Sequence, residues 1–451
     1  MSWLASLRAR RNAGAVRGVI AAYDAHQSPV DIARWQLRAL NESWIHMRSA
    51  GVGAGALLQR RWSLPDLFES WDQFDALVPV CTKADLREIV KEAGSEAFLG
   101  CEWRATAGTT GEPFRFPVWP DEAAGHGLAM WAARERLGVG ADARVSLIWG
   151  HAHMLGDGVG GMIGKAKRQL ADKVLGYQRI SAYDLTDAAL VAAGRQVIRH
   201  RPDLLIGYSN ALDRFAETNA NHKHSINRLP LKLVIATGEG FASPAAEARV
   251  RSFFRAPMRM EYGSMETGVM AYQFSDEGYQ TLWHRHRLER TADEAGVGRK
   301  IGNAKPVVVT SLYPRALPVW RYEIGDRIEL FAEDESPRLR FANVRGRSNL
   351  LVRLPSGEEF HSEAISHVVR EVQAIRAFQF VVSGSKNSTI LRYLGPRPLT
   401  PEEADTLCRR LSRVSATLSS VTFQHSAELG KSPAGKHAIV VYGDLVKEDR
   451  V

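Results

Sequence analysis

Cysteine is scarce: Cys81, Cys101 and Cys408 are the only three in 451 residues, and none forms a C-x-x-C pair. That excludes a disulfide framework and a cysteine zinc site, and it suits a reducing cytoplasm. No apolar run approaches the roughly 18 residues of a membrane span. No internal repeat and no low-complexity tract is present. The opening Met1 to Ile20 carries arginines but no continuous hydrophobic segment for secretion. Acidic residues are missing before Asp24, a faint transit-peptide trait, but an ordinary amphipathic helix is the expected reading.

Charge is present and unbalanced. Lys and Arg total 59 against 50 Asp and Glu, a formal +9 with pI near 9.5. Such a balance suits nucleic acid, a membrane surface or an anionic substrate. The bases are scattered rather than clustered on one stretch, which argues against nucleic acid. The composition is 45% hydrophobic, enough for a large core. A single core stops growing near about 250–300 residues, so one large and one small domain are expected.

Residues 31–60 place Ile32, Trp35, Leu37, Leu40, Trp44 and Met47 at helical spacing. From Arg144 onward, short apolar runs alternate with helical stretches: Val145–Trp149, a helix over Thr186–Arg199, Leu204–Ile206, another helix, and Leu231–Ala236. That alternation predicts an α/β core with parallel strands. Pro306–Thr310, Pro318–Tyr322 and Arg327–Leu330 read as closely spaced antiparallel strands. Beyond Gly346, Ile365, Val368, Val369 and Val372 have helical spacing, while Ile390–Tyr393 and Ala438–Val441 read as strands. The expected organisation is a large N-terminal domain over 1–345 and a small α+β domain over 346–451.

Ala105-Thr-Ala-Gly-Thr-Thr-Gly-Glu-Pro113 carries the strongest chemical signal. Small residues, two glycines and hydroxyl side chains leave backbone N–H groups and Oγ donors free to grip a polyphosphate. Alone, such a loop is as easily a plain hairpin turn. In order after it come Thr237-Gly-Glu-Gly240, Tyr262-Gly-Ser-Met-Glu-Thr-Gly268, Arg321-Tyr-Glu-Ile-Gly-Asp326, Gly346-Arg-Ser-Asn349 and Gly435-Lys436. This ordered set resembles the adenylate-forming enzyme superfamily, in particular the compact branch of phenylacetate-CoA ligase and CapK-type capsule-biosynthesis proteins. The resemblance runs from Thr82-Lys-Ala-Asp-Leu-Arg87 to Lys436.

The resemblance implies an α/β fold with mixed sheets and a mobile C-terminal lid, and ATP-dependent activation of a carboxylic acid with Mg²⁺. It assigns Thr106, Thr109 and Thr110, with the Gly108 and Gly111 amides, to the β- and γ-phosphates. It assigns Glu266 to Mg²⁺, an ion that prefers hard oxygen ligands beside phosphates. Tyr262, next to Gly263, would stack on adenine, with Gly238, Glu239 and Gly240 lining the same pocket. Asp326 would accept from both ribose hydroxyls, and Arg347 would touch ribose or phosphate. Lys436 would carry its ammonium to the reacting carboxylate and α-phosphate. Trp149, His151, Tyr208 and Ser209 fall where relatives line the acid pocket, and the aromatic wall suits an aryl acid.

Two departures bear on the second step. Asn349-Leu350 stands where relatives usually have Asp-Asp, and Leu354–Phe360 replaces the usual Gly-x-Asn-x-Phe loop. The acyl acceptor is therefore left open among coenzyme A, the phosphopantetheine of an acyl carrier protein, and an amine. Transfer of AMP itself to an acceptor, or nucleotide binding without turnover, are the rival readings. Gly156–Gly161 matches G-x-G-x-x-G but lacks the acidic strand end about 20 residues on that a dinucleotide site needs, and it reads as a glycine loop. His151 and His153 lack a third metal ligand nearby. Trp283–Arg290 is a basic run expected on a solvated strand or loop face, or meeting an acidic carrier protein.

Overall fold

A computed structural model describes the chain except residues 1–2, 26–27, 106–113, 150–169, 183–186, 239, 242–243, 291–303, 332–339, 348–350, 355–358, 362–364, 366–367, 370–371, 373, 376, 384–387, 428, 430–439 and 443–451. The chain opens with the helices α1 (Trp3–Ala25), α2 (Pro29–Ser49), α3 (Gly55–Arg61), α4 (Trp71–Leu77) and α5 (Lys83–Ala93), and α6 (Glu122–Arg136) follows a strand pair. Ser28 caps α2 by accepting from the Asp31 amide, proline follows in the first turn, and Ile32, Leu40, Trp44 and Met47 bury the predicted stripe. Between α5 and α6, β1 (Glu102–Ala105) and β2 (Arg115–Val118) pair antiparallel, so residues 106–113 connect the two arms of a hairpin.

The runs from Val145 onward build the parallel half of a large sheet: β3 (Val145–Trp149), β4 (Tyr177–Ser181), β5 (Leu204–Tyr208), β6 (Leu233–Thr237) and β7 (Met258–Ser264). Their pairings are parallel. All five residues of β6 are buried, as expected of a parallel strand covered on both faces. The antiparallel half follows: β8 (Gly268–Ser275), β9 (Gly278–Thr281), β10 (His286–Arg290), β11 (Ala304–Ser311), β12 (Tyr322–Leu330) and β13 (Arg340–Arg347). The eleven strands lie in the order β10-β11-β12-β13-β9-β8-β7-β6-β5-β3-β4.

Two expectations need correction. Pro318–Trp320 lies outside any strand, and β12 starts only at Tyr322, because proline has no N–H for a ladder. The basic run Trp283–Arg290 is not a solvated face. Trp283 and His286 are fully buried, Arg287 stacks 4.1 Å from the Trp71 ring, and its guanidinium reaches both Asp75 oxygens at 2.7 and 2.8 Å. Local basicity misled because the counter-charges come from elsewhere in the chain.

After β13, β14 (Leu351–Arg353) pairs with β15 (Glu359–His361). A four-stranded sheet then orders β16 (Ala377–Ser383), β17 (Ser388–Leu394), β18 (Thr422–His425) and β19 (Val440–Tyr442) as β18-β17-β16-β19. The helix Pro401–Val414 opens on a Thr400/Glu403 capping box. Phe380, Leu391, Leu407 and Leu411 belong to a hydrophobic cluster drawn wholly from residues after 351. Ile365, Val368 and Val369 are helical, whereas Val372 is buried outside the helix. No helix among the described residues is long and apolar enough to cross a membrane.

Candidate functional site

The carboxyl ends of the parallel strands gather the site. Trp149 ends β3, Tyr208 ends β5, Gly238 follows β6, and Ser264 ends β7. In open α/β sheets this edge is where ligands bind.

Gly238 has φ of 80°, and a Cβ there would lie 2.7 Å from Tyr208 Cδ1. Glycine is required on both counts. The bare backbone lets the Tyr208 ring close in, and that ring lies 4.5 Å from the Trp149 ring. The outcome is an aromatic wall of two rings. Ser209, fully buried, begins the helix Ser209–Thr218 just behind it. Gly240 has open space where a side chain would be.

The turn between β7 and β8 holds Glu266. Ser264 Oγ and Thr267 Oγ1 lie 3.1 Å apart, and the Thr267 amide donates to Ser264 Oγ at 3.2 Å, which tightens the turn. Gly263 is forced by packing: its Cβ would fall 2.4 Å from the Gly268 carbonyl oxygen on β8. Glu266 is 3% exposed. Lys83 Nζ lies 2.7 Å from its Oε1, and the Tyr322 hydroxyl donates to the same oxygen at 3.3 Å. Burial pushes the Glu266 pKa up, but the charge and hydrogen bond of Lys83 outweigh it and hold the carboxyl below its ordinary value.

Lys83 lies in the Thr82–Arg87 motif, which implies no role for it. Its placement comes from the α5 N-terminus, where Thr82 and Asp85 form a reciprocal capping box. The preceding residue, Cys81, is tied to β12: its N–H donates to the Arg321 carbonyl at 2.9 Å, and its carbonyl accepts from the Glu323 amide at 2.8 Å. Arg321 sits at φ of 42°. Its guanidinium donates to the carbonyls of Asp75 and Val78 at 2.5 and 2.9 Å and to Glu289 at 3.2 Å, which holds the strained conformation.

Asp326, on β12, accepts from the Tyr262 hydroxyl at 2.9 Å across 64 residues of chain. Tyr262 is 7% exposed, with its ring edge-on to Phe341. Asp326 is the register partner of Arg347 on β13, so the backbones of those two site residues run side by side. Below this pair, Glu261 takes charge and hydrogen bonds from Arg134 at 3.4 Å, Thr237 at 3.3 Å and the Tyr272 hydroxyl. The structure therefore brings together Trp149, Tyr208, Ser209 and Gly238 on one side, and Tyr262, Glu266, Asp326 and the Arg347 backbone on the other. Thr106, Gly108, Thr109, Thr110, Gly111, His151, His153, Gly156–Gly161, Glu239, Lys436 and the Arg347 side chain lie outside the described residues. Among the described residues, no group of three His, Cys, Asp or Glu is placed to hold a metal.

The fold is a large mixed sheet followed by a smaller C-terminal sheet region. Among solved structures, the chain is similar to 2-hydroxyisobutyryl-CoA ligase. In the postadenylation state in complex with R3-HIB-AMP, that protein matches with TM-score 0.55 and 16% identity over 92% of this chain and 89% of its own. Its thioesterification-state complex with 2-HIB-AMP and CoA matches at 0.55 and 17%, over 91% and 89%. Its open conformation matches at 0.51 and 17%, over 91% and 90%. No protein-family model and no curated sequence matches the chain.

Proposed function

We propose that the protein activates a carboxylic acid with MgATP, forming an acyl-adenylate and pyrophosphate, and then passes the acyl group to a thiol or an amine. The observation that carries the reading is the meeting of Tyr262 and Asp326 at 2.9 Å, four residues from the buried Glu266, at the carboxyl edge of the sheet. Those residues answer to nucleotide and metal roles in the motif series, and nothing in the chain's local sequence requires them to converge. The fold shared with a ligase solved with acyl-AMP supports the same reading.

In the first step the acid's carboxylate oxygen attacks the α-phosphorus and pyrophosphate leaves in line. Thr106, Thr109 and Thr110 with the Gly108 and Gly111 amides would hold the β- and γ-phosphates. Glu266 fits a one-carboxylate attachment for Mg²⁺, because Lys83 keeps it ionised and Tyr322 fixes its orientation. Mg²⁺, when bound, neutralises phosphate charge. Tyr262 and Asp326 would hold adenosine, with Gly238, Glu239, Gly240 and Gly263 shaping the pocket and Arg347 at the ribose. Trp149, His151, Tyr208 and Ser209 would face the acid, and the ring pair favours an aryl acid. The lobe from 346 onward would swing Lys436 toward the reacting carboxylate. In the second step the acceptor attacks the acyl carbonyl and AMP leaves. The phenylacetate-CoA ligase and CapK-like branch remains the preferred placement, and the acceptor is coenzyme A, a carrier protein's phosphopantetheine or an amine.

The test is ATP–pyrophosphate exchange across a panel of carboxylic acids, aryl acids included. Exchange that depends on acid is expected. AMP found covalently on an acceptor, or ATP binding with no exchange for any acid, would overturn the reading.

A further inference from the structure

A half-buried cation with no carboxylate of its own among the described residues lies beside the Glu266 turn. Arg285 follows the β9 end, and its guanidinium carbon sits 3.6 Å from the centroid of the Tyr313 ring. The Tyr313 hydroxyl donates to the Thr267 carbonyl at 3.2 Å, which fixes this group to the residue after Glu266. On the other side lies Gly125 of α6, where an added Cβ would come 3.7 Å from one Arg285 terminal nitrogen and 3.9 Å from the other. The helix is bare where it meets the guanidinium. Two residues on, Gly127 has open space in place of a side chain.

The local charge does not balance. The neighbouring carboxylate, Glu122, is committed elsewhere: it accepts from the amides of Trp119 and Ala316 at 3.0 and 2.7 Å and pairs with Arg315 at 3.4 Å. Arg285 Nε and Nη2 are buried and have no hydrogen-bond partner among the described residues. Burial pulls the Arg285 pKa down, with Tyr313 opposing and Arg315 adding to the fall. Buried guanidinium groups are ordinarily paired, because an unmatched charge away from water is costly. Leu282, three residues before Arg285, and Trp149 pack in one hydrophobic cluster with Val269. The chain just before Arg285 is thus anchored in the cluster that carries Trp149, whose ring is given to the acid.

We infer that Arg285, with Tyr313 as its stacking base and Gly125 beside it, is a recognition residue for an oxyanion of the acid substrate. The inference rests on the carboxylate-activation reading. The oxyanion is either the reacting carboxylate or a second acidic group on the same molecule, and both present the planar or tetrahedral oxygens that a guanidinium fork matches.

Arg285→Gln and Arg285→Lys separate the outcomes. A structural arginine loses thermal stability on replacement, whereas a cation held for a ligand leaves the ligand-free protein as stable or more stable when it becomes glutamine. Unchanged or raised Tm for Arg285→Gln is expected, and a marked fall overturns the inference. In pyrophosphate exchange, Arg285→Gln should raise KM for the acid by roughly tenfold or more, with KM for MgATP unchanged and partial recovery in Arg285→Lys. A rise shared by benzoate-type and phthalate-type acids identifies the reacting carboxylate, and a rise confined to phthalate-type acids identifies a second acidic group. Equal KM for every acid, or a parallel rise in KM for MgATP, overturns it. Should the wild-type protein exchange with no acid, the activity reading is what fails. Arg285 is then decided by thermal shift with phthalate, which must stabilise the wild type and not Arg285→Gln.

Discussion

Gly238 and Lys83 show how single residues set the site. At Gly238, a left-handed φ and a ring 2.7 Å from the absent Cβ act together. We predict that Gly238→Ala costs about 2–5 kcal/mol, from backbone strain and overpacking, and weakens acid binding by displacing Tyr208. Urea unfolding and KM for the acid check both. At Lys83, we predict that Lys83→Met destabilises by about 3 kcal/mol at neutral pH, since the 3%-exposed Glu266 loses its counter-charge. In the wild type the depressed Glu266 pKa contributes stability above about pH 4.5 that is lost as pH falls through the folded value. The variant's penalty should therefore shrink as the pH falls below the ordinary carboxylate value of 4.5 and the unpaired Glu266 takes up a proton. A penalty that stays constant with pH would show the ion pair to be irrelevant. Both residues stood in motifs quoted from the sequence, but the contact of Lys83 with Glu266 was illegible there, because it depends on two distant segments meeting.

At the scale of elements, the strands buried on both faces were the most legible: Val145–Trp149 was read with the bounds that β3 has. Apolar β-branched runs have few alternatives in a sheet flanked by helices. The corner between β9 and β10 was the least legible. His284 there lies edge-on to Tyr23 of α1, and burial, with Arg285 and Arg136 adding, lowers its pKa to about 3. A folded pKa below the unfolded one gives stability that is full above about pH 6.5 and is lost as pH falls toward 3. We predict that the protein loses roughly 2 kcal/mol between pH 6.5 and 5 from this group. His284→Phe should remove that component, and denaturant melts at the two pH values measure it. Equal pH dependence in wild type and variant would refute the assignment.

Across the whole molecule, the hydrophobic cluster of the residues after 351 shares no member with the three clusters that hold the bulk of the chain. β13 still runs in the large sheet through Arg347, so the proposed change of lobe comes at that strand's end. If the terminal lobe delivers Lys436, we predict that Lys436→Ala lowers acid-dependent exchange by about 10²–10³-fold, the scale of losing one positioned charge in a transition state, while the melting temperature stays put. Unchanged exchange would take Lys436 out of the mechanism.

The amino-acid order alone determined the alternation of strands and helices, the two-part organisation and the series of motifs, because periodicity, turn chemistry and motif spacing are local properties of the chain. Only the tertiary structure decided that Lys83 and Tyr322 meet Glu266, that Tyr262 meets Asp326, that Arg287 of the basic run packs against Asp75 and Trp71, and that Arg285 lies beside Gly125 with no carboxylate partner among the described residues. The physical reason is that charge pairing and burial depend on which distant segments come within a few ångströms, and a one-dimensional pattern carries no distances across the fold.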